Sequence, residues 1–279
     1  SRSEKWDELK KCLTDIPVFE GISSAGLYEI LRYWVAIWSN SAEGRFDPSE
    51  LYRNSLKQWK SGTPAEIRNQ REWKSLYCRI LKKISSLLRE ADANEDFGIL
   101  FAEEWFNFAN KNFAEDSLEV ANAAFKLGVI YQYLDQEEVG LPFIQKATAI
   151  RVKHYGPDHV DVASCYYKLG EIYSWHYGDS EKATEYFEKA LVINKKHLGP
   201  DHYYVANCLW NLSNEAEYSG DYEVAYKLRQ EDLAIRKKAL NPNHRNWPMV
   251  YSDLARAEMT IGNYHEAIDL SKRALSLAE

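Results

Sequence analysis

The chain has 279 residues, 45% of them hydrophobic, and carries a net charge of −7 at pH 7. That suffices for a substantial core, and the absence of any run of about 18 apolar residues excludes a membrane-spanning helix. Charge is uneven: residues 1–92 hold 16 Lys+Arg against 13 Asp+Glu, and the remainder holds 19 against 29, an acidic balance that would repel a phosphate backbone and argues against nucleic-acid binding.

Residues 4–13 read as a short amphipathic helix. "SAGLYEILRYWVAIWSNS" reads as a longer one, apolar at Leu27, Ile30, Leu31, Trp34, Val35 and Trp38. "DPSELYRNSLKQWK" follows, with Pro48 at a helix start and Leu51, Leu56 and Trp59 on one stripe. These elements form a small N-terminal helical region, 1–71. "GTPAEIRNQREWKSLYCRIL" then runs into a degenerate helix pair, 72–117, in which Ile84 and Gly98 stand 43 and 42 residues before Leu127 and Gly140.

From residue 118 the sequence repeats, and self-similarity is weighed before any motif. Leu127, Leu169, Leu212 and Leu254 are spaced 42, 43 and 42 residues apart; Gly178, Gly220 and Gly262 are spaced 42 and 42. Four units result: 118–155, 160–198, 203–241 and 246–279. A one-residue slip falls in "EIYSWHYGD". Within a unit the apolar spacing is helical, as for Val162, Tyr166, Leu169 and Tyr173 in helix A and Ala183, Phe187, Ala190 and Leu191 in helix B. "GDS", "GDY" or "GNY" separates the two. Glycine there can adopt the left-handed conformation that ends helix A, and Asp or Asn can cap helix B. Gly170 and Ala183 let the helices of a pair approach closely.

"HYGPDHVDVASC" and "HLGPDHYYVANC" place His, Asp and Cys at a fixed offset in two units. Two readings are open: metal ligands, or punctuation of the repeat. Stacked helices lie about 10 Å apart, whereas metal–ligand bonds are near 2 Å, so one His per unit cannot gather on one ion. The second reading follows: Pro157 and Pro200 stop a helix B, Asp158 and Asp201 cap the next helix A, and Cys165 and Cys208 lie on the packed stripe. The four cysteines form no CxxC motif and read as reduced thiols of a cytoplasmic protein. No apolar signal-peptide core precedes them. Neither GxSxG, HExxH nor a glycine-rich phosphate loop occurs, so no enzyme, cofactor or metal site is expected here.

"KLGEIY" followed by Ala183, Phe187 and Ala190 resembles the tetratricopeptide repeat (TPR), whose signature has Leu-Gly and Tyr in helix A and Ala, an aromatic and Ala in helix B. The long period and the "LGPDH" linker resemble the 42-residue kinesin-light-chain and nephrocystin-like variety. The resemblance implies an all-α fold: a right-handed superhelical solenoid of TPR helix-turn-helix pairs preceded by a small helical region. "CLTDIPVFEGI", "LYEILRYW" and "YRNSLKQW" further resemble the segment that precedes the repeats in NACHT-TPR proteins, a class of STAND ATPases. On that likeness the chain is the C-terminal sensor region of a larger ATPase; no Walker A pattern lies in these residues, so the ATPase domain would lie outside them. The alternative is a free-standing TPR adaptor of the kinesin-light-chain cargo-binding type.

By the same resemblance helix A lines a concave wall, and the groove positions stand five and two residues before the landmark leucine and two and five after it. They are Asn122, Phe125, Val129 and Gln132; Ser164, Tyr167, Glu171 and Ser174; Asn207, Trp210, Asn214 and Glu217; and Met249, Ser252, Arg256 and Met259. Phe125, Tyr167 and Trp210 make an aromatic ladder that either anchors an extended peptide, flanked by amides, or packs against neighbouring repeats. No Lys/Asn carboxylate clamp for chaperone tails is evident at these positions. "LWNLS" keeps one asparagine, Asn211, of the kinesin light chain "LNNLA" and replaces the other with Trp210. The expected partner is a protein or peptide, without nucleic acid or membrane, and the C-terminal repeat is expected to self-associate through its outer face.

Overall fold

The computed structural model describes residues 71, 74, 75, 78, 81, 95–239, 241, 244 and 246–278. The N-terminal helices expected before residue 71, and the NACHT-TPR-like segment, lie outside them. The chain divides into two compact units, 1–101 and 102–279. In the first, Arg71, Lys74, Ser75, Cys78 and Leu81 are helical, and Cys78 and Leu81 are buried.

The described residues of the second unit form helices without strands. Helix α1 (Glu95–Asn112) begins in the first unit. Four helix pairs follow: α2 (Leu118–Tyr133) with α3 (Glu137–Tyr155), α4 (Val160–Trp175) with α5 (Ser180–Leu198), α6 (Tyr203–Tyr218) with α7 (Tyr222–Ala239), and α8 (Trp247–Thr260) with α9 (Tyr264–Ala278). The first member of each pair is helix A and the second helix B. Every helix B packs on its own helix A, and α3, α5 and α7 also pack on the helix A of the next pair. Among the described residues no helix is long and apolar enough to cross a membrane.

The turns follow the sequence pattern. Gly178, Gly220 and Gly262 have φ of 62°, 83° and 87°, the left-handed conformation that releases the chain from helix A. Asp135, with φ 53°, takes this role in the first pair. The helix end is then closed by a backbone bond from the residue after the turn, Asp221 N–H to Ala216 C=O at 2.8 Å and Asn263 N–H to Glu258 C=O at 2.9 Å. In α4 the corresponding bond runs from Asp179 to Tyr173, one residue longer, which absorbs the slip in "EIYSWHYGD" without changing the helix. Asp179 also caps α5, accepting from Lys182 N–H at 3.1 Å.

Close approach within a pair rests on glycine. A Cβ on Gly128 would stand 2.6 Å from the Ile144 side chain and 2.8 Å from the Gly140 carbonyl, and one on Gly140 would stand 2.7 Å from the Gly128 carbonyl. At Gly170 the face of the missing side chain is filled by Phe187, so the aromatic of helix B seats on the glycine of helix A.

The core crosses the repeat boundaries. Ile144 of α3 packs with Leu169 and Ile172 of α4. Ala163, Ala190 and Ile193 of the second pair pack with Cys208 of the third. Leu233 of α7 packs with Trp247, Val250 and Leu254 of α8. Even the cluster of Val205, Ala206, Leu209 and Ile235, all of the third pair, is packed by Leu191 of the second, as expected of a solenoid stabilised by nearest neighbours.

The linkers correct one expectation. Asp158 and Asp201 do not cap the helices that follow them; the adjacent histidines do. His159 Nδ1 accepts from Asp161 N–H and His202 Nδ1 from Tyr204 N–H, each at 3.1 Å; ahead of α8, whose N-cap is Asn246, His244 Nδ1 accepts from Asn246 N–H at 3.2 Å. The aspartates are drawn outward, because the basic end of the next helix B reaches back to them. Asp158 accepts from Lys196 and His197, Asp201 from Lys238, and Asp116 from Lys153. The His-Asp pair therefore does two jobs, a cap and an inter-repeat tie, and neither is metal binding.

Two consequences can be measured. Gly128→Ala forces a methyl against backbone that cannot yield, and should lower stability by about 1–3 kcal/mol in urea unfolding; an unchanged midpoint would contradict the close-approach account. The lysine bonds hold the Asp116 and Asp158 carboxyls below the usual carboxylate range. A depressed pKa adds stability above the unfolded-state value, and that stability is lost as pH falls through the folded-state value. Asp158→Asn should thus differ from the parent at about pH 6 and converge with it in acid; a difference that persists in acid would contradict the tie.

Candidate functional site

The helix A wall is built from residues that reach into the next repeat. Gln132 is buried and donates to Glu171 in the following pair at 3.1 Å, while Lys168 donates to the same carboxylate at 2.6 Å. Asn211, 1% exposed, donates to the Tyr167 hydroxyl of the preceding pair at 2.9 Å and to the Asn207 carbonyl at 3.2 Å. Trp210 donates through Nε1 to Asp253 of the following pair at 2.6 Å. The Gln132–Glu171, Asn211–Tyr167 and Trp210–Asp253 bonds span 39 to 44 residues, one repeat each. Burial pushes the Tyr167 hydroxyl well above its ordinary value, so it stays protonated and can donate as well as accept.

The aromatic ladder is therefore partly consumed by stacking. Phe125, Tyr167 and Trp210 are all half-buried. Phe125 joins Ala124, Ala147 and Cys165 in one cluster and carries the Arg151 guanidinium 4.4 Å from its ring centre. Tyr167 packs edge-on to Phe187, with ring centres 5.7 Å apart. Asn122, Asn207 and Asn214 are half-buried, each accepting from an arginine of its own helix B: Arg151 at 2.9 Å, Arg236 at 3.1 Å and Arg229 at 2.9 Å. Glu171 is buried. Arg256 is exposed and lies 3.3 Å from Asp253 and 3.6 Å from Glu217. Val129 is buried, whereas Met249, Ser252 and Met259 are exposed. The four positions are covered where another helix A follows and open on α8, behind which no further helix A stands among the described residues.

Three features escaped the sequence reading. The Asn–Arg braces, Asn122 with Arg151 and Asn207 with Arg236, repeat at an interval of 85 residues; the intervening pair has Ser164 and Asn194 instead, which hid the pattern. Glu215, 3% exposed, accepts from Ser174 and Ser180 across the pair boundary. Arg229, 3% exposed, is held between Glu217 at 2.6 Å and Asp253 at 3.8 Å, with Nε unbonded. In sequence each is an ordinary polar or charged residue on a helix, and only a repeat-by-repeat comparison of polar positions would single it out.

The cysteines are core residues. Cys165 and Cys208 are fully buried, and burial raises both thiols, that of Cys208 to about 12. A thiol so held is neutral and a poor nucleophile or metal ligand. Among the described residues no group of three or more His, Cys, Asp or Glu converges on a common point.

Comparison with known proteins places this geometry. Residues 119–196 match the tetratricopeptide repeat family model. No curated protein matches the chain. Among solved structures, the kinesin light chain nearly identical TPR-like repeats of Podosopora anserina are similar with a TM-score of 0.58 and 19% identity, over 71% of this chain and 93% of that one. BtubC (BKLC) from P. vanneervenii is similar with a TM-score of 0.60 and 16% identity, over 91% of each chain. PilF of Pseudomonas aeruginosa is similar at 0.53 and 15%, over 72% and 78%. Such identities speak for the fold. Residues 119–196 thus carry tetratricopeptide repeats, and the helix pairs that contain and follow them form an all-α TPR solenoid.

Proposed function

We propose that the array is an interaction module that takes an extended protein segment along its helix A wall, centred on Tyr167, Trp210, Asn214 and Arg256. The observation that carries this reading is the anchoring of two half-buried rings by the next repeat: Tyr167 to Asn211 and Trp210 to Asp253. Rings fixed in this way lose little conformational freedom on contact with a ligand, which favours binding. The TPR fold supports a scaffold role, and the reading assigns no chemistry to the chain.

For its setting we propose the sensor region of a STAND-type ATPase, resting on the likeness of "LYEILRYW" and its flanks to the NACHT-TPR linker. The fold likeness to kinesin light chain repeats supports a second setting, a free-standing adaptor. A P-loop domain encoded upstream of Ser1 in the full-length gene supports the first setting, and a natural start codon near residue 1 the second.

The wall is tested with an array of random extended peptides. Peptides bound by the chain should be lost by Trp210→Ala with Asn214→Ala, by tenfold or more in affinity, while the helical circular dichroism is kept. Retained affinity in a folded variant would rule the wall out.

A further inference from the structure

The two edges of the helix-pair array differ in chemistry. The edge made by the linkers is knitted by ion pairs: Lys153 with Asp116, Lys196 with Asp158 and Lys238 with Asp201. The opposite edge, made by the turns inside each pair, is aromatic. Tyr133, Trp175 and Tyr218 are the last residues of α2, α4 and α6, and they are 54%, 58% and 74% exposed. They recur at 42 and 43 residues, so they occupy one register in three consecutive repeats. Met259, 55% exposed, is one residue from that register in the fourth. These side chains lie beyond the Tyr167 and Trp210 rungs. Singly exposed aromatics are ordinary; a row of them in register is not, because each repeat could carry a polar residue there at no cost to the core.

The charge around the row is one-sided. The four turns, taken with the first turn of each helix B (134–139, 176–182, 219–224 and 261–266), hold eight carboxylates and one lysine, Lys182, which Asp179 engages at 2.7 Å. Carboxylates at helix starts also suit the helix dipole. The rings have no such role, so they mark the surface, and the carboxylates set the sign of what it takes. Glu138 and Glu223 are 79% and 83% exposed, with His176 3.7 Å from the first and Lys227 bonded to the second at 2.7 Å, so a cationic ligand would share or displace these contacts. This protein already places cations on rings near this edge: Lys168 Nζ lies 5.0 Å from the Tyr133 ring centre and Lys182 Nζ 5.1 Å from that of Tyr173.

We propose that this edge docks an extended cationic peptide segment, with arginine or lysine side chains seated on successive rings. The spacing follows from the stack. Successive helix As are near enough for their side chains to bond, Asn211 to Tyr167 and Trp210 to Asp253, which places them on the order of 10 Å apart, and an extended chain advances about 3.3 Å per residue. The basic residues of the partner should therefore recur at every third position. The row lies at the far ends of the same helices that form the wall, next in sequence to Gln132, Ser174 and Glu217, but the proposal does not depend on any ligand along the wall.

The probe is a labelled peptide with arginine at every third residue, measured by anisotropy on the 279-residue chain. It should bind, weaken as salt is raised, and lose tenfold or more in affinity with Trp175→Ala plus Tyr218→Ala. A peptide with glutamate in place of arginine should not bind. Both substitutions sit at exposed helix ends, so the thermal midpoint should stay close to the parent, and Trp175→Phe should restore much of the affinity. Tyr167→Ala with Trp210→Ala, on the wall, should leave this peptide bound. Equal binding of the two peptides, no binding of either, or full affinity in the folded double variant would overturn the proposal. So would sedimentation showing a dimer that Trp175→Ala dissociates, because the edge would then serve a second copy of this chain.

Discussion

A pair of helices of this length has too little interior to stand alone, and that constraint organises the second unit. The apolar side of α3, α5 and α7 faces two helices, its own partner and the first helix of the next pair, and the clusters around Leu169, Cys208 and Leu254 form where pairs meet. Burial at these seams is the main favourable term, at roughly 25 cal/mol per Å² of apolar surface removed from water. It is non-directional, however, and would tolerate a slide of one pair over another. The polar groups remove that freedom. Tyr167 with Asn211, Trp210 with Asp253 and Gln132 with Glu171 each fix one helix A against the next. On the linker edge, Lys196 with Asp158 and Lys238 with Asp201 do the same for helix B and the preceding linker. Exposed pairs of the second kind contribute little energy, and their value is in register.

Much of this was legible in the sequence, and the reasons are physical. A glycine that must take a left-handed conformation cannot be replaced cheaply, so Gly178, Gly220 and Gly262 mark every later turn. A glycine under a facing helix is equally constrained, which is why Gly128 and Gly170 follow the landmark leucines. Polar partners were harder to read. Asp158 and His159 are neighbours, either could cap, and the choice falls to His159 because Lys196, 38 residues away, claims the aspartate. The groove positions of the resemblance are also the stacking positions of the structure. A side chain such as Gln132 is a candidate ligand contact in sequence and a buried inter-repeat bond in space. The exposed row of Tyr133, Trp175 and Tyr218 kept the same beat, yet it lies at the end of helix A, where helical periodicity gives out and the pattern is least distinctive.

The helix A wall and the turn edge thus have different physical characters. Along the wall, aromatic and amide groups are half-buried and largely engaged with one another, so a ligand there gains from pre-organisation more than from new area. Along the turn edge, rings are open and surrounded by carboxylates, so a ligand there would gain from direct contact and from charge. Two surfaces in one array are compatible with a scaffold that brings partners together.

The central claim is that the wall residues specify how one repeat seats on the next. It is tested most directly by a double-mutant cycle on Tyr167→Phe and Asn211→Ala, read by urea unfolding of the 279-residue chain. If the hydroxyl–amide bond couples the second and third pairs, the two changes should interact by about 0.5–1.5 kcal/mol. Effects that add to within about 0.3 kcal/mol would show that the bond does not hold the repeats in register, and would contradict the account.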